Sequence, residues 1–436
     1  MMVWGSAQTN PMNRLEELEC HFTWKLDASR YKLLCIRDHL EDMGSDMSYP
    51  WQGQKYNLLA YIHYTLGSKD NALQCLNKAE KAFHQSSPCE TTGPWMLATY
   101  GNLAWVYYHL DNQEESQGYI KKIEELQRDY PSPFQGEQHP EVFAEKAWTL
   151  IKFDQDKKKK AIEYFQIAIR MKPDQREWHS SYALALESVK TFPPNPEVLD
   201  KLRLAKEHDP DNLYVASVYL LQLGKVAQNE ACQLAQQILN KPVSCYNGLK
   251  PLISFYSAHL SRNEAIDLAD EALKRHPNVR FLKKCLAESY KWKICSSEDN
   301  PRRESMIHRA IGLYTEVISH YPETSIKMKL GLASIYAESE MDRRELADQI
   351  YEELLSSVQE PTLLQMLYHR YATYLNYSHK DYNRSIDYHM KAAEISHPND
   401  YGKKSLNILS RIAQRGRNRR CAEIHEFLEN LEVDEQ

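Results

Sequence analysis

Apolar residues recur at i, i+3, i+4 and i+7 along almost the whole chain, with polar residues between them, the period of helices that bury one face. Runs of β-branched residues are few and only 14 glycines interrupt 436 residues, so the pattern predicts a nearly all-helical protein. The helices repeat. Ala161, Phe165, Ala168 and Pro173 are followed at the same steps by Ala265, Ala269, Ala272 and Pro277, and again by Ala310, Tyr314, Val317 and Pro322. Earlier, Ala60 precedes Ala72, Leu76 and Ala79, while Ala104 and Tyr107 precede Ser116, Ile120 and Ile123.

This is the second half of a tetratricopeptide signature. Small residues sit where the two helices of a hairpin come closest, a larger residue fills the gap to the next hairpin, and proline stops the second helix because it lacks a backbone donor. Less regular copies surround Leu202, Ala205 and Pro210, then Ala231 to Ile238, Ala333 to Leu354, and Tyr371 to Ala392. The prediction is an all-α tetratricopeptide-repeat superhelical solenoid of about eight or nine hairpins with a concave inner channel lined by first helices. Polar interruptions at 130–141 and 295–305 divide it into expected subdomains at 12–130, 139–292 and 304–432, the last ending in a basic segment.

Composition narrows the chemistry. At 42% hydrophobic and 26% charged residues the chain is of globular type. The N-terminus lacks a signal-type apolar stretch and no run reaches the ~18 apolar residues of a membrane span, which predicts a cytosolic protein with no membrane partner. Nine cysteines, odd in number and never spaced C-x-x-C, read as reduced thiols. No phosphate-binding glycine loop, H-E-x-x-H or G-x-S-x-G occurs, and the histidines show no ligand spacing, so no enzyme, metal or cofactor is expected. Cys20-His21 is set aside as a nucleophile pair because neighbours on a helix point about 100° apart. With a net charge of −6, any nucleic-acid site must concentrate its cations on one surface.

Four stretches are more specific than the repeat: LEELECHFTWKL (15–26), YNLLAYIHYTLGSKDNALQCLNKAE (56–80), GNLAWVYYHLDNQEESQGYIKKI (101–123) and HPEVFAEKAWTLIKF (139–153). Together they closely resemble the interferon-induced proteins with tetratricopeptide repeats, the IFIT family. The likeness is strongest over 15–180 and traceable at 253–277 and 368–389. It implies a cytosolic antiviral effector of innate immunity that holds single-stranded RNA by its 5′ end, a triphosphate or incompletely methylated cap, and restrains viral translation. Expected partners are such RNA, a paralogue or second copy of the chain, and proteins of the translation machinery. The alternative is a non-catalytic scaffold acting through protein partners in the same response. An adaptor for acidic C-terminal tails would need convergent Lys, Arg and Asn residues that the sequence does not assemble.

By resemblance, Trp148 falls where cap-binding relatives stack a tryptophan on guanine, and Lys152 where they turn a lysine to the phosphates. Positions i and i+4 share a helix face, so the two can present a flat ring and a cation together. His39 and Met43 occupy polar or cationic family positions near the phosphates. Lys158 stands at a family tyrosine, on what reads as a turn carrying Lys157 to Lys160. Departures are equally plain. Ser188, beside Glu187, replaces an arginine, with Lys190 nearby, and Ser257 and Ala258, after Phe255 and Tyr256, replace paired arginines, with Tyr256 itself the RNA-binding candidate there. Lys283 and Lys284 stand at family histidines on a first helix expected to face the channel, with Arg280 beside them. The segment 402–427 carries Lys403, Lys404, Arg411, Arg415, Arg417, Arg419 and Arg420, read as a helix with charges spread around it.

Overall fold

The structure is a computed structural model describing residues 11–43, 49–86, 92–189, 196–241, 248–296, 303–339, 341–396 and 399–434. Two helices, α1 (Pro11–Glu16) and α2 (Arg30–Asp42), precede a succession of helix pairs. These are α3 (Gln52–Thr65) with α4 (Lys69–Ser86), α5 (Leu97–Tyr108) with α6 (Gln113–Asp129), α7 (Pro140–Leu150) with α8 (Gln155–Met171), α9 (Arg176–Ser188) with α10 (Glu197–His208), and α11 (Leu213–Leu223) with α12 (Gln228–Leu239). Then follow α13 (Leu249–His259) with α14 (Arg262–Arg275), α15 (Arg280–Ser296) with α16 (Arg303–His320), α17 (Ile326–Ala337) with α18 (Met341–Ser357), α19 (Pro361–Tyr374) with α20 (Tyr382–Glu394), and α21 (Asp400–Arg415) with α22 (Cys421–Asp434). The described residues thus form ten pairs, more than the repeat pattern alone predicts, because the least regular copies also fold as hairpins.

The chain is an all-α tetratricopeptide-repeat solenoid, and it forms two compact units, Met1–Phe281 and Leu282–Gln436. The repeat residues are where the pattern puts them: Ala60, Ala72, Leu76, Ala79, Ala104, Ala161, Phe165, Ala168, Ala269, Ala310 and Ala333 are wholly buried. Close approach explains one glycine directly. A Cβ on Gly331 of α17 would stand 2.6 Å from the ring of Tyr314 on α16, so the aromatic that fills the inter-hairpin gap needs glycine opposite it. No described helix is long and apolar enough to cross a membrane.

Three local expectations are corrected. Lys157 to Lys160 lie in the first turns of α8, not in a turn, because Asp154 caps that helix by accepting a hydrogen bond from the Lys157 amide at 2.9 Å. Cys20 and His21 lie outside any helix and are buried. Burial pushes the Cys20 thiol up to about 12 and the His21 imidazole down to about 3, which keeps the thiolate and imidazolium forms out of reach near neutrality. The basic C-terminal segment is two helices broken at Gly416, whose φ of +63° ends α21 in the left-handed conformation. Lys190, Cys89, Cys245 and residues 297–302 of the polar interruption at 295–305 lie outside the described residues.

Candidate functional site

The first unit holds a cavity of about 350 Å³ lined by α2, α7 and α9, with Tyr49 and Tyr214 at its edge. Local sequence fixes each wall. Ser29 caps α2 through the Lys32 amide, and the His139 ring accepts from the Glu141 amide ahead of Pro140 in the first turn of α7. On α2 and its C-cap, Lys32, Ile36, His39 and Met43 step by four, three and four, so one helix face brings all four to the cavity.

Trp148 and Lys152 come from α7 and the turn after it, and both line the cavity. Trp148 is only 2% exposed and stacks on Trp51, centroids 5.9 Å apart and planes 17° from parallel. Trp51 is held in turn, its indole N–H donating to Glu177 Oε1 at 2.6 Å and to Ser181 Oγ at 3.1 Å. The Lys152 ammonium sits over the Trp148 ring, 4.5 Å from its centroid. The pair therefore meets as the i, i+4 spacing predicts, but it meets as a cation folded onto a ring.

The α9 wall carries the two family departures. Glu187 and Ser188 both line the cavity, and Glu187 is the only acidic residue of its lining among the described residues. Burial raises the Glu187 carboxyl, opposed by a hydrogen bond from Gln222 Nε2 at 3.2 Å and by the charge of Lys158. Lys158 reaches this wall from α8, donating from Nζ to the Ser188 carbonyl at 3.3 Å. Its neighbours do not follow. Lys157 pairs with Asp154 at 2.8 Å and Lys159 with Asp156 at 3.4 Å, while Lys160 is exposed.

The other sequence candidates lie apart from this cavity. Tyr256 on α13 is half-buried and does not line it; burial and the adjoining Cys232 raise its phenol, and Ser257 and Ala258 beside it are exposed. Arg280 pairs with the Asp42 carboxylate and donates to the Asp38 carbonyl at 3.1 Å. In the second unit, Lys283 is corrected most clearly: it is 8% exposed and bound to Glu316 of α16, so it faces its own hairpin partner. Lys284 lines a smaller cleft, of about 190 Å³, with Lys291, Lys327 and Arg370. Sequence reasoning missed Lys32, Tyr49, Trp51 and Tyr214; of these, only Lys32 was within reach, seven residues before His39 on the same helix face.

A polar layer is buried in the core around α7. Asn57 donates to Glu145 Oε1 at 2.8 Å and to Thr99 Oγ1 at 2.9 Å, while His21 bridges Asn102 and Thr149, each at 3.1 Å. Glu145 and Thr149 are on α7 with Trp148, so this layer fixes the rotation of the helix that presents the ring.

Stacked helical hairpins with a cavity between successive first helices define a tetratricopeptide-repeat protein, and a tetratricopeptide repeat is matched at residues 56–82. The chain is 28% identical over 414 residues to mouse (Mus musculus) interferon-induced protein with tetratricopeptide repeats 2, spanning 92% of this chain and 86% of that protein. It is 26% identical to human (Homo sapiens) antiviral innate immune response effector IFIT1, over 94% of this chain and 89% of that one. The solved human IFIT1 dimer with PPP-AAAA is similar in fold, with a TM-score of 0.69 at 25% identity over 97% of this chain and 95% of that chain. Over nearly its whole length the chain is thus similar to the interferon-induced proteins with tetratricopeptide repeats.

Proposed function

We propose that this chain is a non-catalytic antiviral effector of the cytosol that holds single-stranded RNA by its 5′ end in the cavity between α2, α7 and α9. One observation carries the reading: the pair Trp148 and Lys152 converges with His39 and Lys32, which lie far away in sequence, on a single cavity, and Lys158 reaches its wall. Its volume of about 350 Å³ falls within the range of small-ligand sites, roughly 300–1,000 Å³. A 5′ phosphate group entering it meets Lys32 and Lys152, and a terminal base competes with the Lys152 ammonium for the Trp148 ring. The human IFIT1 relative solved with PPP-AAAA supports the same ligand class, and its dimer supports self-association. Occupying the 5′ end of a transcript would restrain its translation.

The second reading, a scaffold for protein partners, is favoured by Glu187 and Ser188, which leave the α9 wall without a phosphate-clamping guanidinium. An affinity comparison at one stated salt concentration decides between them, using RNA with a 5′ triphosphate, a cap without ribose methylation, a cap with it, and a 5′ hydroxyl. Dependence on the 5′ group that is lost in Lys152→Glu supports end recognition. Equal binding of all four, unchanged by that substitution, removes it.

A further inference from the structure

The loop 130–139, part of a polar interruption in the repeat pattern, joins α6 to α7 and carries Tyr130, Pro131, Ser132, Pro133 and Phe134 in succession. Of the serines and threonines in the chain, two precede a proline, Ser87 and Ser132, and Ser87 lies outside the described residues. Proline disfavours the helical region for the residue before it and has no amide hydrogen, so Ser132 is biased to extended backbone between two residues that cannot donate. Accordingly, among the described residues, no backbone–backbone hydrogen bond outside the helices involves 131–133. The loop closes further on, the Glu137 amide donating to the Phe134 carbonyl at 3.2 Å. Pro131 and residues 133–138 are exposed, and Ser132 is half-buried, its hydroxyl donating to the Gln138 carbonyl at 3.3 Å, long for a bond of this kind.

A cation already touches this loop. Arg170, in the last turn of α8, lies over the Phe134 ring, 5.9 Å from its centroid, and donates to both Glu137 carboxylate oxygens at 3.3 and 3.2 Å. Its side chain is 60% exposed, and an ion pair so open to water holds weakly.

We propose that Ser132 is a phosphorylation site for a proline-directed protein kinase. Such a kinase takes its substrate extended and offers no partner to an amide hydrogen after the serine, and Ser132 with Pro133 meets both demands. ATP is the phosphate donor. Ser132 Oγ attacks the γ-phosphorus, the bond from that phosphorus to the β,γ-bridging oxygen breaks, ADP leaves, and the hydroxyl proton passes to the kinase's catalytic carboxylate. The serine oxygen then no longer donates to Gln138. The phosphate adds a charge of about −1.5 to −2 to a loop that carries Glu137, and Arg170 exchanges that carboxylate for the phosphate oxygens. The proposal goes beyond RNA binding and does not rest on it, since the loop shares no residue with the cavity between α2, α7 and α9.

The test uses the full chain carrying Ser87→Ala, which leaves Ser132 as the single serine before a proline, with ATP and a purified mitogen-activated or cyclin-dependent kinase. Mass spectrometry should place a stoichiometric phosphate on Ser132, lost in Ser132→Ala and also in Pro133→Ala, which retains the hydroxyl. Neither position is in the core, so both variants fold. A synthetic peptide of residues 126–142 is the unfolded reference and should be phosphorylated at a similar rate. Phosphate on the peptide with none on the folded chain overturns the proposal, as does phosphate on neither, or a rate unchanged by Pro133→Ala. In the phosphorylated chain, phosphorus NMR should show the second phosphate ionisation below its ordinary value of about 6, and Arg170→Ala should raise it by roughly half a unit. Equal titration with and without Arg170 would overturn its exchange of Glu137 for the phosphate.

Discussion

The Lys152 ammonium lies 4.5 Å from the centroid of the Trp148 ring, so the cation and the aromatic surface cover each other. A stacked base must displace Lys152, whereas a phosphate needs only to draw it away. Lys152→Ala separates these demands. Affinity for triphosphate RNA should fall about tenfold through loss of a charged hydrogen bond, while cap-bearing RNA loses less because the ring is uncovered. Paired binding measurements check the ratio, and an equal loss for both RNAs would show that Trp148 does not stack.

Trp148→Ala is a poor probe of that stacking, for a structural reason. The indole is buried and packed against Trp51, so truncation should cost roughly 3–5 kcal/mol of stability before any ligand is considered. Trp148→Phe keeps an aromatic in contact with Trp51 and should cost clearly less. Denaturant titration of both variants checks the order, and a near-neutral Trp148→Ala would mean that the Trp51 stack contributes little.

Much of the fold was legible because alanine at the hairpin crossing and an aromatic at the inter-hairpin gap impose steps of four and three that survive low overall similarity. Ala161, Phe165 and Ala168 read the same way in sequence and in the core. The site was legible only where contacts are local. Trp148 and Lys152 are one turn apart, so their meeting followed from helical geometry. Lys283 was misplaced because nothing in its own helix announces Glu316, 33 residues on. The lysine run read as a turn because four adjacent charges look solvated, while the single Asp154 carboxylate that starts the helix is easily passed over. Tyr49, Trp51 and Tyr214 reach the site through packing between hairpins, which no local spacing encodes.

The polar layer around α7 should give stability a pH dependence of known sign. Burial raises the Glu145 carboxyl from 4.5 to about 8, so the native state holds its proton where the unfolded chain has released it. That contribution is complete below pH 4.5 and is lost as pH rises through about 8. His21 acts oppositely: lowered from 6.5 to about 3, it contributes above pH 6.5 and is lost as pH falls through about 3. Glu145→Gln keeps an acceptor for Asn57 and removes only the alkaline loss, on the order of a few kcal/mol. Unfolding midpoints should converge near pH 4.5 and separate in favour of Glu145→Gln near pH 8. Parallel curves across that interval would show Glu145 ionised in the fold.

The α9 wall offers a gain of function. Ser188 lies half-buried at the end of α9, its hydroxyl donating to the Ala185 carbonyl at 2.9 Å, and it borders the cavity that Lys32 and Lys152 face. An arginine there extends from a helix C-terminus, where positive charge is favourable, and presents a fork matched to phosphate oxygens. Ser188→Arg should therefore raise affinity for triphosphate RNA about tenfold over 5′-hydroxyl RNA. Glu187→Gln, which removes the only acid lining the cavity among the described residues, should shift the same ratio in the same direction by a smaller factor, since burial already disfavours its charge. Competition binding with the two RNAs against each variant measures the ratio directly. If neither substitution changes it, the 5′ phosphates do not approach α9, and the partner-protein reading gains the ground that end recognition loses.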